Sequence, residues 1–461
     1  MPRKKKQAGD TAQPQDTVVI DIPKLSKPLQ LVKGMKDVLP ADQPYAAHIY
    51  RLIDTIMSDY SIDRIDVPVV EDLQLYTHGI GRQTDIVEKE MYTFDDQGGD
   101  HLALRPEFTA GIARAYIEHG MMTYPQPVKV YTTGPLFRHE KPQEGRYRQH
   151  NQFDIEYIGE AKPAADAQII FIAYKVLKSL GIAPILHINS IGCPQCRGPY
   201  KEALSEYYKS KRQSLCEDCK RRMSKNVLRL LDCKDEQCQV VKSKSPSIDE
   251  FLCDLCRDHF MSVLTFIDEF EIPYQFNPYL VRGIDYYTRT VFEYMVPQEG
   301  KEDAATKMQS FCGGGRYDYL IESLGGQPTP ACGFGMGIER VILKLKEMER
   351  NNIATPIKKK RDIDVFFAQL GEQAKQRAMM LFEDLLEDNF SVAEAFTKDS
   401  LKSQLEMANK LGARFTLILG QKELLDGTII IRNMEGGEQE VIDVKKLIPI
   451  LRKKLGIEVK E

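Results

Sequence analysis

FRHEKPQEGRYRQHNQFDIE, residues 137–156, is the stretch from which the rest of the chain is read. Arg138, His139, Lys141, Arg146 and Arg148 are interleaved with Glu140, Glu144, Gln152, Asp154 and Glu156, and Pro142 with Gly145 predicts a turn between two extended arms. A strand–loop–strand of this make-up can clamp a triphosphate, because planar guanidinium forks match phosphate oxygens better than the point charge of Lys does. Taken alone, the same residues also fit an exposed charged hairpin.

Working outward, RIDVPVV (64–70) alternates Ile65, Val67 and Val69 and reads as a strand. Further extended segments read at 91–94, 102–105, 128–132, 152–158 and 290–295. Charged connections rather than regular crossover helices lie between them. That pattern predicts an α+β fold, an antiparallel sheet with helices packed on one side, and argues against a doubly wound parallel sheet. Residues 41–60 place Tyr45, Ile49, Leu52, Ile53, Ile56 and Tyr60 on one helical face.

Two more segments carry chemistry. RGIDYYTRT (282–290) packs two guanidiniums, a carboxylate and two phenols into a short run beside a strand. Consecutive Tyr286 and Tyr287 cannot share one side of an extended segment, so at least one is expected to line something polar. GFGMGIER (333–340) reads as a Gly-rich turn leading into an amphipathic helix with Ile338, Val341, Ile342 and Leu345 on its apolar face. Its glycines allow close approach of a ligand or another backbone, but their spacing is not that of a dinucleotide fingerprint. CGGGRYD (312–318) again sets glycines beside an Arg.

Of the ten cysteines, eight lie between 193 and 256: Cys193/Cys196, Cys216/Cys219, Cys233/Cys238 and Cys253/Cys256. Pairs this close let both thiolates reach one tetrahedral ion, so a structural Zn²⁺ is expected, in two sites or in one with spare thiols. The stretch from 190 to 258 otherwise reads as a helical insertion (KEALSEYYKSKRQSL, KRRMSKNVLRLL). Beyond TPIKKKR (355–361), the segments DVFFAQL, SVAEAF and RFTLILG alternate with helical runs, as in a small α/β domain.

The bulk properties bound the function. At 461 residues the chain is too long for one core and predicts two or three domains. Its 63 basic and 67 acidic residues give a net charge of −4, so a nucleic-acid partner has to be met by local basic patches. The most apolar run, AQIIFIAYKVL (167–177), falls well short of the ~20 residues of a membrane span. MPRKKKQAGDTAQPQDT lacks the apolar core of a secretory signal, which predicts a cytoplasmic protein with a flexible basic arm over 1–28.

Together these segments resemble the class II aminoacyl-tRNA synthetases, and in particular the histidyl-tRNA synthetase family. RIDVPVV around Pro68 is similar to the class's first motif, the family's dimer interface. FRHEKPQEGRYRQHNQFDIE is similar to the second and GFGMGIER to the third, both of which hold ATP. VRGIDYYTRTVFE and GGGRYD look like the histidine-specific motifs, and GMKDVLP (34–40) like the usual opening. The resemblance implies a catalytic core over 29–189 and 259–352, interrupted by the insertion 190–258. A linker at 353–361 and an anticodon-binding domain at 362–461 would follow.

It also implies site residues. Arg138 with Glu140, Arg146 and Arg340 would surround the ATP phosphates. Glu107, Thr109 and Gln152 would take the histidine α-ammonium, and Glu156 and Tyr287 would bracket the imidazole, with Tyr286 beside them. Arg282 would be the catalytic arginine, standing where other class II enzymes use a metal ion, with Arg138 as a second catalytic group. The implied partners are ATP with Mg²⁺, L-histidine, tRNA(His) and a second copy of the chain. One alternative is the synthetase-like regulatory subunit of ATP phosphoribosyltransferase, which binds histidine without ligating it. That reading expects eroded histidine motifs and no C-terminal module.

Overall fold

The two arms of the 137–156 segment are strands. Val128–Phe137 runs out, and Gln149–Ile158 returns antiparallel to it, with Val128 opposite Ile158 and Phe137 opposite Gln149. The computed structural model describes residues 27–297, 308–353, 357 and 362–457. Most of the 1–28 arm and most of the 355–361 linker therefore lie outside the described residues.

The hairpin belongs to an eight-stranded sheet. Its order is Asp63–Arg64, Val128–Phe137, Gln149–Ile158, Ala331–Gly337, Met308–Arg316, Thr288–Pro297, Ile185–Ser190, Tyr274–Phe276. Only the two outermost pairs are parallel, so the sheet is antiparallel at its centre, as predicted. GFGMG differs from the sequence reading: it is a strand, not a turn, and runs directly into the helix Ile338–Arg350. CGGGR is a strand as well, paired with GFGMG so that Gly315 faces Gly333 and Gly313 faces Gly335. Glycine is a poor strand former in isolation. Here two glycine strands lie side by side and the sheet presents backbone where side chains would stand.

Alternation along the strands gives this sheet two unlike faces. Phe153 and Ile155 are fully buried on one face, with Phe334, Met336, Phe292 and Tyr294 alongside. The helix Pro163–Ser179 covers that face, and the Tyr294 hydroxyl donates to the Ile170 carbonyl at 2.8 Å. The opposite face carries Gln152, Asp154 and Glu156 beside Gly337, Gly335 and Gly333, the partners that the register assigns them. Arg316 leaves the sheet toward the helix side. It is completely buried, pairs with Asp166 and Asp318, and donates to the Glu160 carbonyl at 2.8 Å.

RIDVPVV is not one strand. Asp63–Arg64 joins the large sheet, while Val70–Asp72 joins a separate three-stranded sheet with His101–Leu104 and Thr93–Asp95. The run breaks at Pro68, which has no N–H for a ladder. The Val67 carbonyl instead accepts from the Arg105 guanidinium at 2.5 Å.

The insertion is helical, with Pro194–Ser210, Glu217–Lys225 and Glu236–Lys242 joined by short turns. It has its own core of Tyr200, Leu204, Tyr208, Leu215 and Leu230, into which the cysteines pack. With the large sheet it belongs to one compact unit, residues 27–37, 60–178 and 183–341.

A second unit comprises 38–59, 179–182 and 342–457. Its five-stranded sheet has the order Val392–Glu394, Val365–Gln369, Phe415–Leu419, Thr428–Asn433, Gln439–Asp443. The first three strands are parallel and connected by the helices Glu372–Glu387 and Leu401–Leu411, as the α/β pattern predicts. The closing antiparallel hairpin and the helix Leu447–Leu455 were not legible in it. The helix Gln43–Asp59 buries Tyr45, Ile49, Ile53, Ile56 and Met57, following its apolar periodicity.

Candidate active site

The polar face of the large sheet is the floor of a cleft of about 1090 Å³, lined among others by Arg138, Glu140, Arg146, Gln152, Arg282 and Arg340. A smaller inner chamber of about 130 Å³ adjoins it, lined by Glu107, Thr109, Asp154, Tyr286, Tyr287 and Tyr317. Arg138, Gln152 and Arg282 border both spaces. The structure therefore brings the sequence-predicted groups together in two sets, an outer cleft where arginines stand among carboxylates and a carboxylate-and-phenol inner chamber. Glu156 sits beneath the inner chamber, and of the insert cysteines Cys216 and Cys233 line the outer cleft.

Glycine makes the floor usable. A Cβ on Gly333 would collide with the Glu156 carboxylate and the Ile155 carbonyl. A Cβ on Gly313 would collide with the Arg282 guanidinium. Each deletion of a side chain gives room to a charged group on the neighbouring strand or loop.

Glu156 is 1% exposed. Thr109 donates to its Oε1 at 2.6 Å, and the Tyr317 hydroxyl donates to its Oε2. Glu107 accepts the backbone N–H groups of Thr109 and Ala110, both at 2.8 Å, at the start of the helix Thr109–Glu118. Tyr286 donates to Glu107 at 3.4 Å, and its ring lies edge-on to Tyr317 with centroids 5.4 Å apart. Residues 282–287 form a turn rather than a strand, which lets Tyr286 and Tyr287 both face the chamber.

Buried carboxylates this close resist ionisation. Burial pushes Glu156 up to about 8, reinforced by Glu107 and opposed by the Thr109 and Tyr317 hydrogen bonds. Burial also raises Glu107, and it raises Asp154 strongly, with Glu156 and Glu107 adding to the Asp154 shift. Asp154 Oδ1 is buried without a hydrogen-bond partner, although the residue lines the chamber. A ligand carrying an N–H group suits such a space, since it supplies the donor that Asp154 Oδ1 lacks.

The outer cleft mixes arginines with carboxylates. Arg138 is anchored through Nε to the Pro106 carbonyl at 2.7 Å, and Arg146 pairs with Glu140 at 3.0 Å. Arg340 donates to the Ser310 carbonyl. Burial lowers the Arg340 affinity for its proton, and nearby Arg146 lowers it further, against the opposing effect of Glu140 and Glu293. Burial, with Arg138 next, also holds His150 at about 3, so this imidazole is neutral at physiological pH. Arg282 pairs with Glu293 and lies 5.6 Å from the Tyr287 ring centroid. Burial opposes its charge, but Glu293 more than offsets this and keeps the guanidinium protonated.

Residues 34–341 match the family model for histidyl-tRNA synthetase, and residues 356–454 match that for an anticodon binding domain. The chain belongs to the histidyl-tRNA synthetase family. A histidine–tRNA ligase from Dehalococcoides mccartyi is 45% identical over 427 residues, 92% of this chain and 100% of the relative. Another from Natranaerobius thermophilus is 40% identical, covering 90% of this chain and 96% of the relative. The apo S. aureus histidyl-tRNA synthetase structure matches at a TM-score of 0.74 and 32% identity, over 92% of this chain and 100% of that one. As a member of this family the chain is an aminoacyl-tRNA ligase that activates histidine with ATP and charges tRNA. The regulatory-subunit alternative is the less favoured: the Dehalococcoides and Natranaerobius relatives are histidine–tRNA ligases, and the C-terminal module is present.

Sequence reasoning did not single out two of the chamber's groups, Tyr317 and Asp154. For Tyr317 the signal was available, since it directly follows the CGGGR glycines that were flagged. The eight insert cysteines sort into Cys193, Cys196, Cys253 and Cys256, and Cys216, Cys219, Cys233 and Cys238. Within each set the sulfurs all lie within 4.8 Å of one another. Among the described residues no helix is long and apolar enough to cross a membrane.

The Glu156 environment predicts a pH-dependent stability. In the unfolded chain this carboxyl ionises near its ordinary ~4.3, but in the folded chain only near about 8. The folded state holds the extra proton between those values, so this group's ionisation lowers stability as pH rises across the window. Glu156→Gln has no such proton to lose. Its melting temperature relative to wild type should therefore climb from about pH 5 to about pH 8, read by scanning fluorimetry. A difference that stays flat or shrinks contradicts this.

Proposed function

We propose that the inner chamber recognises histidine and the outer cleft holds Mg²⁺–ATP, with Arg282 as the catalytic residue between them. The observation that carries this reading is the adjacency of a carboxylate-floored chamber to an arginine-lined cleft. Glu156 and Tyr287 bracket the imidazole, with Tyr286 beside them. Glu107, Thr109 and Gln152 take the α-ammonium, and Asp154 offers a further acceptor. Arg138, reaching both spaces, holds the histidine carboxylate against the α-phosphate, while Glu140, Arg146 and Arg340 surround the rest of the nucleotide.

The carboxylate oxygen attacks the α-phosphorus and pyrophosphate leaves. A ribose hydroxyl of tRNA then attacks the activated carbonyl and AMP leaves. Charge that builds on the α-phosphoryl oxygens in the first step falls beside the Arg282 guanidinium. Positioning and electrostatics do the work, with no covalent protein intermediate.

The domain reading accompanies this: core 29–189 and 259–352, insertion 190–258, linker 353–361 and anticodon-binding domain 362–461. The enzyme works in the cytoplasm. Its insertion carries structural zinc, for which two sets of four thiols have the right chemistry. It acts as a homodimer through the surface around Pro68, where Val69, Val70 and Phe94 stand exposed. The apolar face of the preceding helix, Gln43–Asp59, is already buried within one chain and so gives no support to this.

Arg282→Ala should lower histidine-dependent ATP–pyrophosphate exchange by about 10²-fold or more, mostly in kcat, while histidine still binds. Retention of more than about a tenth of wild-type exchange would remove Arg282 from the catalytic role. In analytical ultracentrifugation at micromolar concentration the chain should sediment as a dimer. A monomer there would defeat the interface around Pro68.

A further inference from the structure

We propose that the insertion holds two zinc ions, each in its own four-thiolate site, and that these sites position arginines against the substrate pocket. Zinc occupancy thereby sets the affinity for histidine and ATP. The inference rests on the substrate reading given above and extends it from the pocket to what holds its walls.

The sulfur geometry supports the sites. In a tetrahedron with Zn–S bonds of ~2.3 Å the sulfurs stand roughly 3.8 Å apart. Cys193 and Cys196 are 3.6 Å apart, Cys193 and Cys253 4.0 Å, and Cys216 and Cys233 3.8 Å. A disulfide needs about 2.05 Å, and all eight thiols are free. Backbone N–H groups already point at the sulfurs, Cys253 to Cys196 and Cys216 to Cys238, both at 3.2 Å. Such donors stabilise thiolate charge. Each set joins residues far apart in the chain, so a bound ion would close a long loop.

What each ion would hold follows from its neighbours in sequence. Arg197 follows the ligand Cys196 in the helix Pro194–Ser210 and donates through Nη1 to the Tyr287 carbonyl at 3.1 Å. The first site is thus one residue from a direct grip on the histidine-recognition turn. The second site closes the segment between Cys219 and Cys233, which carries Arg222, Asn226 and Arg229. Arg229 and Arg222 both donate to the Asp85 carboxylate, at 2.7 and 2.9 Å. Asn226 donates to Asp285 at 3.0 Å, inside the recognition turn. Arg229 also lies against Gly283, where a Cβ would come within 3.0 Å of its Nη1. Asp85 and the adjoining Ile86 line the outer cleft, and Ile86 and Gly283 border both spaces. Arg197 lines neither space and acts through Tyr287 as a positioning residue, whereas Arg222 and Arg229 hold Asp85 and also line the outer cleft themselves.

The test combines metal analysis with exchange kinetics on the full-length protein purified without chelator. About two zinc ions per chain are expected, falling to about one in Cys219→Ser and in Cys256→Ser. Arg197→Gln and Arg229→Gln should keep both ions yet raise KM about tenfold, for histidine in the first and for histidine and ATP in the second. kcat should stay within about threefold, and Arg197→Lys should recover most of the histidine KM because one donor to the carbonyl suffices. If the cysteine variants fail to fold, zinc released by a mercurial and counted by a colorimetric chelator replaces them. Less than about half a zinc per chain overturns the sites. Two zinc ions with KM unchanged in both arginine variants overturns the positioning. Wild-type protein that shows no histidine-dependent exchange would instead overturn the underlying substrate reading.

Discussion

The Glu156 carboxylate is the constraint around which the catalytic unit is arranged. A carboxyl group 1% exposed needs hydrogen-bond partners on both oxygens, and it finds them in Thr109 and Tyr317. It also needs space on the adjoining strand, which only glycine at 333 leaves. Thr109 begins a helix capped by Glu107, and Tyr317 follows the strand that ends at Arg316. The carboxylate thus ties a helix start, two glycine strands and the turn with Tyr286 into one polar cluster. Each member is supported by another that is itself held, which is the arrangement a selective site requires.

The two faces of the sheet explain how such a cluster survives beside a hydrophobic core. Phe153 and Ile155 alternate with Gln152, Asp154 and Glu156, so the strand that lays the core also lays the site. On the core face Arg316 is matched by Asp166 and Asp318, leaving no buried charge alone. On the site face Asp154 Oδ1 is left without a hydrogen-bond partner, while Arg146 pairs with Glu140 and Arg340 donates to the Ser310 carbonyl.

Much of this was legible in the sequence, because the polar residues that mark the site recur in short, dense segments. FRHEKPQEGRYRQHNQFDIE announced a strand–loop–strand, and Arg138, Glu140, Glu144 and Arg146 line the outer cleft, while Lys141 and Arg148 line neither space. The α+β class and the alternating C-terminal elements also followed from periodicity. The glycine strands did not, since Gly-rich runs read locally as turns, and only pairing with each other makes them strands. The break at Pro68 was hidden by the apolar alternation on either side of it. The pairing of cysteines across the insertion depends on helices packing over long sequence separations, which spacing alone does not encode. Tyr317 and Asp154 were visible letters, but their roles depend on a register between distant strands.

The central claim is that polar groups around Glu156 read the ring nitrogens of histidine. ATP–pyrophosphate exchange with histidine and with β-(2-thienyl)alanine, a ring of similar size without N–H, tests it most directly. A site built of buried hydrogen-bonding groups rejects the analogue lacking them by roughly 10⁴-fold in kcat/KM. That discrimination is the predicted result. Use of thienylalanine within about tenfold of histidine would mean that the chamber selects by shape alone, and would contradict the account.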